Sequence, residues 1–309
     1  MIKQIDIGVL SRRQREEAQN ECIILSKLHN PFIVKYYDSF VDRKKLNIVM
    51  EYCEHGDLAQ LLRRQMGRPL KEKTIWKFFL QICLGLEYLH SKKILHRDVK
   101  TLNMFLTKDD SIRIGDLGVA KVLTHTANFA RTMVGTPYYL SPELCEEKPY
   151  NTKSDVWALG CVLYEMITTR HPFSSTNQGA LILKIIRGKY DPIPPTYSSD
   201  LASVVSACLT KDYRKRADIP TLLAMPCVKA KRAEINFPAD EVAALPGPSY
   251  FAKPEPKLKA PVGAPDTDRK RAAAAVAAAP KPMVKEVIAP APAPAPAPPK
   301  RPMLRVKAS

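Results

Sequence analysis

The chain of 309 residues has few features of a secreted or membrane-embedded protein. Its seven cysteines are an odd number without any Cys-x-x-Cys pair, which argues against a disulfide framework and indicates a reducing compartment. No uninterrupted apolar run approaches the ~18 residues that a membrane helix requires. The amino terminus has no charged lead followed by an apolar segment. We therefore expect a cytoplasmic protein without a membrane partner. Association with the cytoskeleton or a nuclear location depends on the basic tail described next.

Acidic residues are scarce relative to basic ones, because 48 Lys and Arg face 31 Asp and Glu. Residues 228–309 hold sixteen of the 27 prolines, including PAPAPAPAPP at 290–299, and few large apolar side chains. Proline favours extended conformations, and so little apolar surface cannot offset the entropy of ordering. The composition predicts a domain at 1–228 and a disordered basic tail at 229–309.

The tail carries fifteen Lys and Arg against seven acids. Its basic clusters at 229–232 and 269–271 predict docking on an acidic surface such as a microtubule, or a nuclear address. A solvated linker kept soluble by charge is the alternative. Nucleic acid is a disfavoured partner, because the tail has almost no aromatic side chains for base stacking.

One stretch concentrates reactive polar residues: HRDVKTLNMFLTKDDSIRIGDLG at 96–118. It places Asp98, Lys100 and Asn103 in a short loop, with Asp116 thirteen positions after Asn103. Phosphoryl transfer requires a carboxylate to orient a hydroxyl, a cation near the transferring phosphate and oxygen ligands for magnesium. Mg²⁺ prefers carboxylate and amide oxygens, which Asp116 and Asn103 supply. No cage of His or Cys residues competes as a zinc site. The stretch predicts a phosphoryl-transfer site.

These residues resemble the protein kinase family, whose catalytic loop reads H-R-D-x-x-x-x-N and whose metal-binding turn reads D-F-G. The turn here is Asp-Leu-Gly at 116–118. The resemblance implies an α+β fold of two lobes, a small lobe at about 1–52 and a mainly helical large lobe at about 57–228. It implies that Asp98 orients the hydroxyl, that Lys100 neutralises transferring charge, and that Asn103 and Asp116 hold Mg²⁺ beside ATP.

Downstream segments resemble the large-lobe framework of the same family. VGTPYYLSPEL at 134–144 and DVWALGCVLYEM at 155–166 are the matching stretches. The resemblance implies that Asp155 braces the catalytic loop and that Glu143 pairs with Arg216. His96 and Leu117 match stacked positions that couple a helix to the metal turn, and both are interpreted as structural.

The pattern is the serine/threonine version, because Lys100 follows Asp98 by two residues and Thr136 lies in a Gly-Thr-Pro turn. The resemblance therefore implies protein substrates with aliphatic hydroxyls. Thr132 resembles an autophosphorylation position, where a phosphate would pair with Arg97. An ordinary exposed threonine is the alternative. Thr136 is expected to position the peptide.

The first forty residues resemble the third strand and following helix of a small lobe, especially in NIMA-related (Nek) kinases. Lys3 would set the nucleotide phosphates and pair with Glu21 on the helix, for which Ser11 is a suitable N-cap. LNIVMEYCEHGDL at 46–58 resembles the fifth strand and hinge. The nucleotide-binding positions that follow are Lys3, Glu21, Met50, Glu51, Cys53, Asp57 and Phe105. The apolar helix predicted at 74–90 places Trp76, Phe78 and Phe79 in the core.

The chain departs from the family at its start. A G-x-G-x-x-G loop normally precedes the lysine strand, yet only Met1 and Ile2 precede Lys3, and no Gly-x-Gly pair occurs elsewhere. The first two strands are therefore expected to be absent, which would weaken nucleotide binding and expose a sheet edge. A wrongly assigned start codon and a truncated product with impaired activity are the two explanations.

The main hypothesis is a Nek-like serine/threonine protein kinase that uses MgATP, with roles in cell-cycle, microtubule or ciliary regulation. A catalytically impaired kinase-like scaffold and a cytoskeletal binding module are the alternatives.

Overall fold

The computed structural model describes residues 1–116, 137–235 and 237. Its strands are β1 (Ile2–Asp6), β2 (Tyr36–Asp42), β3 (Lys45–Met50), β4 (Met104–Leu106) and β5 (Ile112–Ile114). Its helices are α1 (Arg12–Ser26), α2 (Leu58–Arg64), α3 (Glu72–Ser91), α4 (Pro142–Cys145), α5 (Thr152–Thr168), α6 (Gln178–Arg187), α7 (Ser199–Cys208), α8 (Ile219–Ala224) and α9 (Pro226–Glu234), with a 3-10 turn at Thr101–Asn103.

The small lobe is an antiparallel sheet in the order β1-β3-β2, with α1 against it. Arg43 and Lys44, both with positive φ, form the two-residue turn between β2 and β3, as the twist of a tight hairpin requires. The predicted N-cap of α1 is confirmed, because Ser11 Oγ accepts from Gln14 N and the Gln14 side chain accepts from Ser11 N. Pairing of β1 with β3 sets Lys3 opposite Ile48.

Helices α3 and α5 form the centre of the large lobe. Both are apolar on almost every face, as helices surrounded by protein are. Trp76, Phe78 and Phe79 are buried in the core, which confirms their prediction. Gly85 lets α3 approach β5, because a Cβ at that position would lie 2.6 Å from Ile114 Cδ1. The predicted two-lobed α+β class is confirmed.

Helix α9 crosses the boundary predicted at residue 228. Pro226 begins this helix, where a missing N–H is tolerated, and Val228 and Ile235 are buried against the large lobe. Ordered structure therefore continues to Ile235, because the apolar spacing of one helix outweighs the basic composition around it. The disorder of the remaining tail and its docking on acidic surfaces stay predictions. Across the described ranges, no helix combines the length and apolar character needed to cross a membrane.

Candidate active site

The catalytic loop at 96–103 is held by hydrogen bonds to Asp155 of α5. This carboxylate is fully buried and accepts the backbone N–H groups of His96 and Arg97, each at 3.0 Å. It also bonds His90 Nε2 at 2.8 Å and the Tyr150 hydroxyl. Burial opposes its ionisation, but the hydrogen bonds from His90 and Tyr150 hold the pKa of Asp155 below its ordinary value. The bonds fix a loop whose Arg97 has left-handed backbone, φ 65°.

His96 joins the catalytic loop to the turn that carries Asp116. Its Nε2 lies 3.1 Å from the Gly115 carbonyl oxygen, and its Nδ1 accepts the Asp98 N–H at 3.2 Å. One nitrogen therefore donates and the other accepts, which is the pattern of a neutral imidazole. Burial lowers the pKa of His96, consistent with that form. The side chain positions its neighbours.

We expect the free energy of unfolding to fall as pH is lowered from 7.5 to 5.5. An unfolded chain binds a proton at His96 near its usual pKa of about 6.5, whereas the folded state resists protonation, so acidification favours unfolding. Half-buried His171, whose pKa is also lowered by desolvation, adds to the same slope. Urea titrations at several pH values measure this slope. It should become shallower in His96→Gln; an equal slope in this variant and in the unaltered chain would contradict the assignment.

Asp98, Lys100 and Asn103 form one hydrogen-bonded cluster. Lys100 Nζ lies 2.9 Å from Asp98 Oδ2. Asn103 Nδ2 donates to the Asp98 carbonyl oxygen at 2.8 Å and to Oδ2 at 3.1 Å. This arrangement leaves Asn103 Oδ1 without a hydrogen-bond donor in the described part of the chain. The carboxylate and the amide are thus pre-oriented, and one amide oxygen is open to a ligand.

Asp116 follows β5 in left-handed backbone, φ 56°. Gly115 N–H donates to the Asn103 carbonyl oxygen at 2.9 Å, which ties this turn to the catalytic loop. The Asp116 carboxylate bonds Lys3 Nζ of β1, so the structure brings one predicted nucleotide-binding lysine to one predicted metal ligand. Glu21 lies in α1, and its side chain is outside the described residues.

The donor set fits Mg²⁺. Asp116 offers a carboxylate and Asn103 an open amide oxygen, the hard ligands that this ion takes together with phosphate oxygens. Within the described ranges, no three His, Cys, Asp or Glu side chains are grouped as a metal cage. One or two protein ligands are enough for Mg²⁺ that is bound together with phosphate oxygens and water.

An apolar cleft lies next to Lys3 and Asp116. One cavity of about 300 Å³ is lined by both residues and by Ile48, Met50 and Phe105. A second cavity of about 350 Å³ shares Phe105 and continues past a further set of predicted positions, Glu51, Cys53 and Asp57. The structure therefore brings the nucleotide-binding positions whose side chains it describes around one cleft.

The segment after β3 presents free backbone groups to this cleft. Within the described residues, the Glu51 carbonyl oxygen and the Cys53 N–H have no hydrogen-bond partner. One acceptor and one donor, spaced by two residues, match the donor and acceptor on one edge of a purine base. The Cys53 thiol is buried, which raises its pKa to about 12 and keeps it protonated at neutral pH.

A family model described as protein kinase domain matches residues 1–228. This chain belongs to the protein kinase family. It is 47% identical to mouse serine/threonine-protein kinase Nek1 over 234 residues, 76% of this chain and 19% of that protein. It is 44% identical to human serine/threonine-protein kinase Nek5, over 73% of this chain and 32% of that protein, and 44% identical to mouse serine/threonine-protein kinase Nek4, over 74% and 29%. The predicted Nek resemblance is confirmed, and this kinase chain spans a fifth to a third of the length of these relatives.

Asp57 of the kinase domain is the N-cap of α2. Its carboxylate caps α2, accepting Gln60 N at 2.8 Å and Gln60 Nε2 at 2.7 Å, and it is 8% exposed. The predicted approach to a ribose stays a prediction.

Glu143 and Arg216 form a bidentate ion pair inside the large lobe of the kinase. Arg216 Nη1 lies 2.8 Å from Glu143 Oε1, and Nη2 lies 2.9 Å from Oε2. The other Arg216 N–H groups donate to the carbonyl oxygens of Thr210, Lys153 and Lys211. The guanidinium also lies 4.9 Å from the Trp157 ring centre. Burial alone would raise the pKa of Glu143, but the bonds from Arg216 lower it. Every donor of the guanidinium is therefore satisfied.

Three predicted sites of the kinase, Leu117, Thr132 and Thr136, lie outside the described residues. Sequence reasoning also passed over a network beside the catalytic loop. The Tyr139 hydroxyl donates to Glu165 Oε2 at 2.6 Å and lies 3.0 Å from Thr101 Oγ1, next to Lys100. Tyr139 and Glu165 belong to the two large-lobe motifs quoted above, but no local pattern shows that they meet, since they are 26 residues apart.

Proposed function

We propose that this chain transfers the γ-phosphate of MgATP to serine or threonine hydroxyls of proteins. The observation that carries the proposal is the cluster in which Asp98 contacts Lys100 and Asn103 and in which Asn103 is tied to the turn bearing Asp116. The relatives named above are serine/threonine-protein kinases, which supports the same reaction class.

The residues of the cleft have different roles in binding the nucleotide. The apolar walls around Met50 and Phe105 bury a purine ring, and the free backbone groups of Glu51 and Cys53 align its edge. Lys3 supplies positive charge for the phosphates where it now meets Asp116. Mg²⁺, held by Asn103 and Asp116, would neutralise phosphate charge.

Asp98 serves the attacking hydroxyl. Its carboxylate accepts a hydrogen bond from the serine or threonine O–H and takes the proton as the oxygen forms a bond to the γ-phosphorus and the bond to the β-phosphate oxygen breaks. Lys100, 2.9 Å from Asp98 Oδ2, stabilises the negative charge on the oxygens of the phosphoryl group in the transition state. Arg97 and His96 hold the loop in place through Asp155 and Gly115.

Nucleotide binding can be tested without turnover. MgATP at ~100 times its dissociation constant should raise the free energy of unfolding by about 2.7 kcal/mol, measured by thermal or urea denaturation. In Asp116→Asn the part of this gain that depends on magnesium should disappear, because one hard ligand loses its charge. The matched control is Asp109→Asn, an exposed carboxylate, which should behave as the unaltered chain. Transfer of radiolabelled γ-phosphate to a protein rich in serine and threonine then tests the reaction. A chain that neither gains stability from MgATP nor transfers label would overturn the proposal.

A further inference from the structure

A second groove lies on the large lobe, away from the nucleotide cleft. Its walls are the turn at 67–69, the segment 167–174 that begins in the last turn of α5, and the segment 184–194 that begins in the last turn of α6. Its volume is about 820 Å³, in the range of ordinary ligand sites of roughly 300–1,000 Å³. We call it the basic groove, because its lining includes Arg170, Lys184, Arg187 and Lys189.

The cations of the basic groove make no ion pairs within the described residues. Across the described ranges, the side chains of Arg170, Arg187 and Lys189 make no ion pair, and Lys184 Nζ donates only to the Ser174 carbonyl oxygen at 2.7 Å. One carboxylate, Asp191, lines the groove with these four cations. Several cations around a concave surface create a focused positive potential that attracts anions.

The shape of the groove is preformed by stiff residues. Pro172, Pro192 and Pro194 line it, and proline has a fixed φ. Tyr164 and Tyr190 pack edge to face with ring centres 5.8 Å apart, and Tyr164 is buried. A surface with so little freedom loses little entropy when it binds an extended chain.

The basic groove adjoins the place where a substrate hydroxyl would lie. Another cavity, of about 500 Å³, is lined by Asp98, Lys100, Glu165 and the segment 137–140. His171 lines both this cavity and the basic groove, and its ring stacks on Tyr138 with centres 3.9 Å apart. A polypeptide that presents its hydroxyl to Asp98 can therefore continue past His171 into the basic groove.

We propose that the basic groove binds a run of aspartate and glutamate residues in the protein substrate, several residues away from the hydroxyl that is phosphorylated. This inference rests on the proposed function, because the substrate must cross the cavity at Asp98. The chain's own tail is the wrong occupant, since residues 228–309 carry fifteen basic against seven acidic residues. Like charges would repel it from the groove.

Binding of two labelled peptides tests the proposal. Both contain one serine, and a run of four glutamates in the first is replaced by glutamines in the second. Fluorescence anisotropy measures their dissociation constants with the full chain carrying Asp98→Asn, so that no turnover intervenes. We expect the glutamate peptide to bind about tenfold tighter at low salt, and this difference to shrink at high salt because the ions are exposed.

Charge reversal locates the site. Arg187→Glu with Lys189→Glu should abolish the preference for glutamate. The control variant, Arg214→Glu with Lys215→Glu, changes the net charge equally at another exposed basic pair and should keep the preference. Thermal denaturation checks that both variants fold.

Two results would overturn the basic groove as a docking site: equal affinity of the unreversed chain for both peptides, or an equal loss in the two charge-reversal variants, which would show attraction by net charge alone. Phosphorylation of a serine substrate without any preference for acidic residues would leave the proposed function standing and remove only the groove. Binding of the glutamate peptide by a chain that never phosphorylates would do the opposite.

Discussion

Asp98→Asn should lower the turnover number for phosphoryl transfer by a factor of about 10² to 10⁴, the usual contribution of general acid–base catalysis. Asparagine has the same shape but cannot take the proton of the attacking hydroxyl. The loop should survive, because Asn103 Nδ2 also bonds the Asp98 backbone oxygen and Asp155 holds the residues before it. The measurement is the single-turnover rate of label transfer at saturating MgATP.

Two controls separate chemistry from folding in this experiment. Asp109→Asn removes one exposed carboxylate in the turn between β4 and β5 and should leave the rate unchanged. Stabilisation of Asp98→Asn by MgATP should match that of the unaltered chain, because the nucleotide cleft is lined by other residues. A fully active Asp98→Asn protein would remove Asp98 from the proton role.

Arg216→Met should destabilise the chain by about 3–5 kcal/mol, because it leaves Glu143 as an uncompensated buried charge. The two side chains are 0% and 1% exposed, so water cannot replace the lost partner. The free energy of unfolding is measured by urea titration. Arg12→Met, which breaks the exposed pair with Glu16, is the control and should have little effect.

The double variant Glu143→Leu with Arg216→Met adds a second check. Replacing both members of a buried pair with apolar residues of similar volume is often close to neutral. The double variant should therefore lose much less stability than the sum of the two single variants. Simple addition of the two losses would show that the pair is not energetically coupled.

The family and the catalytic loop were predictable because their signals are local. The HRD and DLG stretches, the Ser11 cap and the apolar helix at 74–90 each depend on residues within about a turn or a loop of one another. The aromatic residues of that helix were predictable as core for the same reason, since the helix is apolar on almost every face.

The features that escaped prediction join distant parts of the chain. Lys3 reaches Asp116 across 113 residues, and Tyr139 reaches Glu165 across 26. The basic groove draws its cations from separate segments, which are unremarkable charges when taken one at a time. Composition also gave no sign that helix α9 continues past residue 228, because its buried Val228 lies amid Lys and Arg.

The backbone at Arg97 and Asp116 has a consequence for how this kinase domain folds. Left-handed geometry costs a non-glycine residue about 1–2 kcal/mol, and both residues adopt it. An isolated loop would relax to ordinary angles, so the arrangement persists only while α5 supplies Asp155 and β5 delivers Gly115. During synthesis, this arrangement of the catalytic loop should form only after α5 has docked. On gentle heating, the arrangement should be lost before the helices melt.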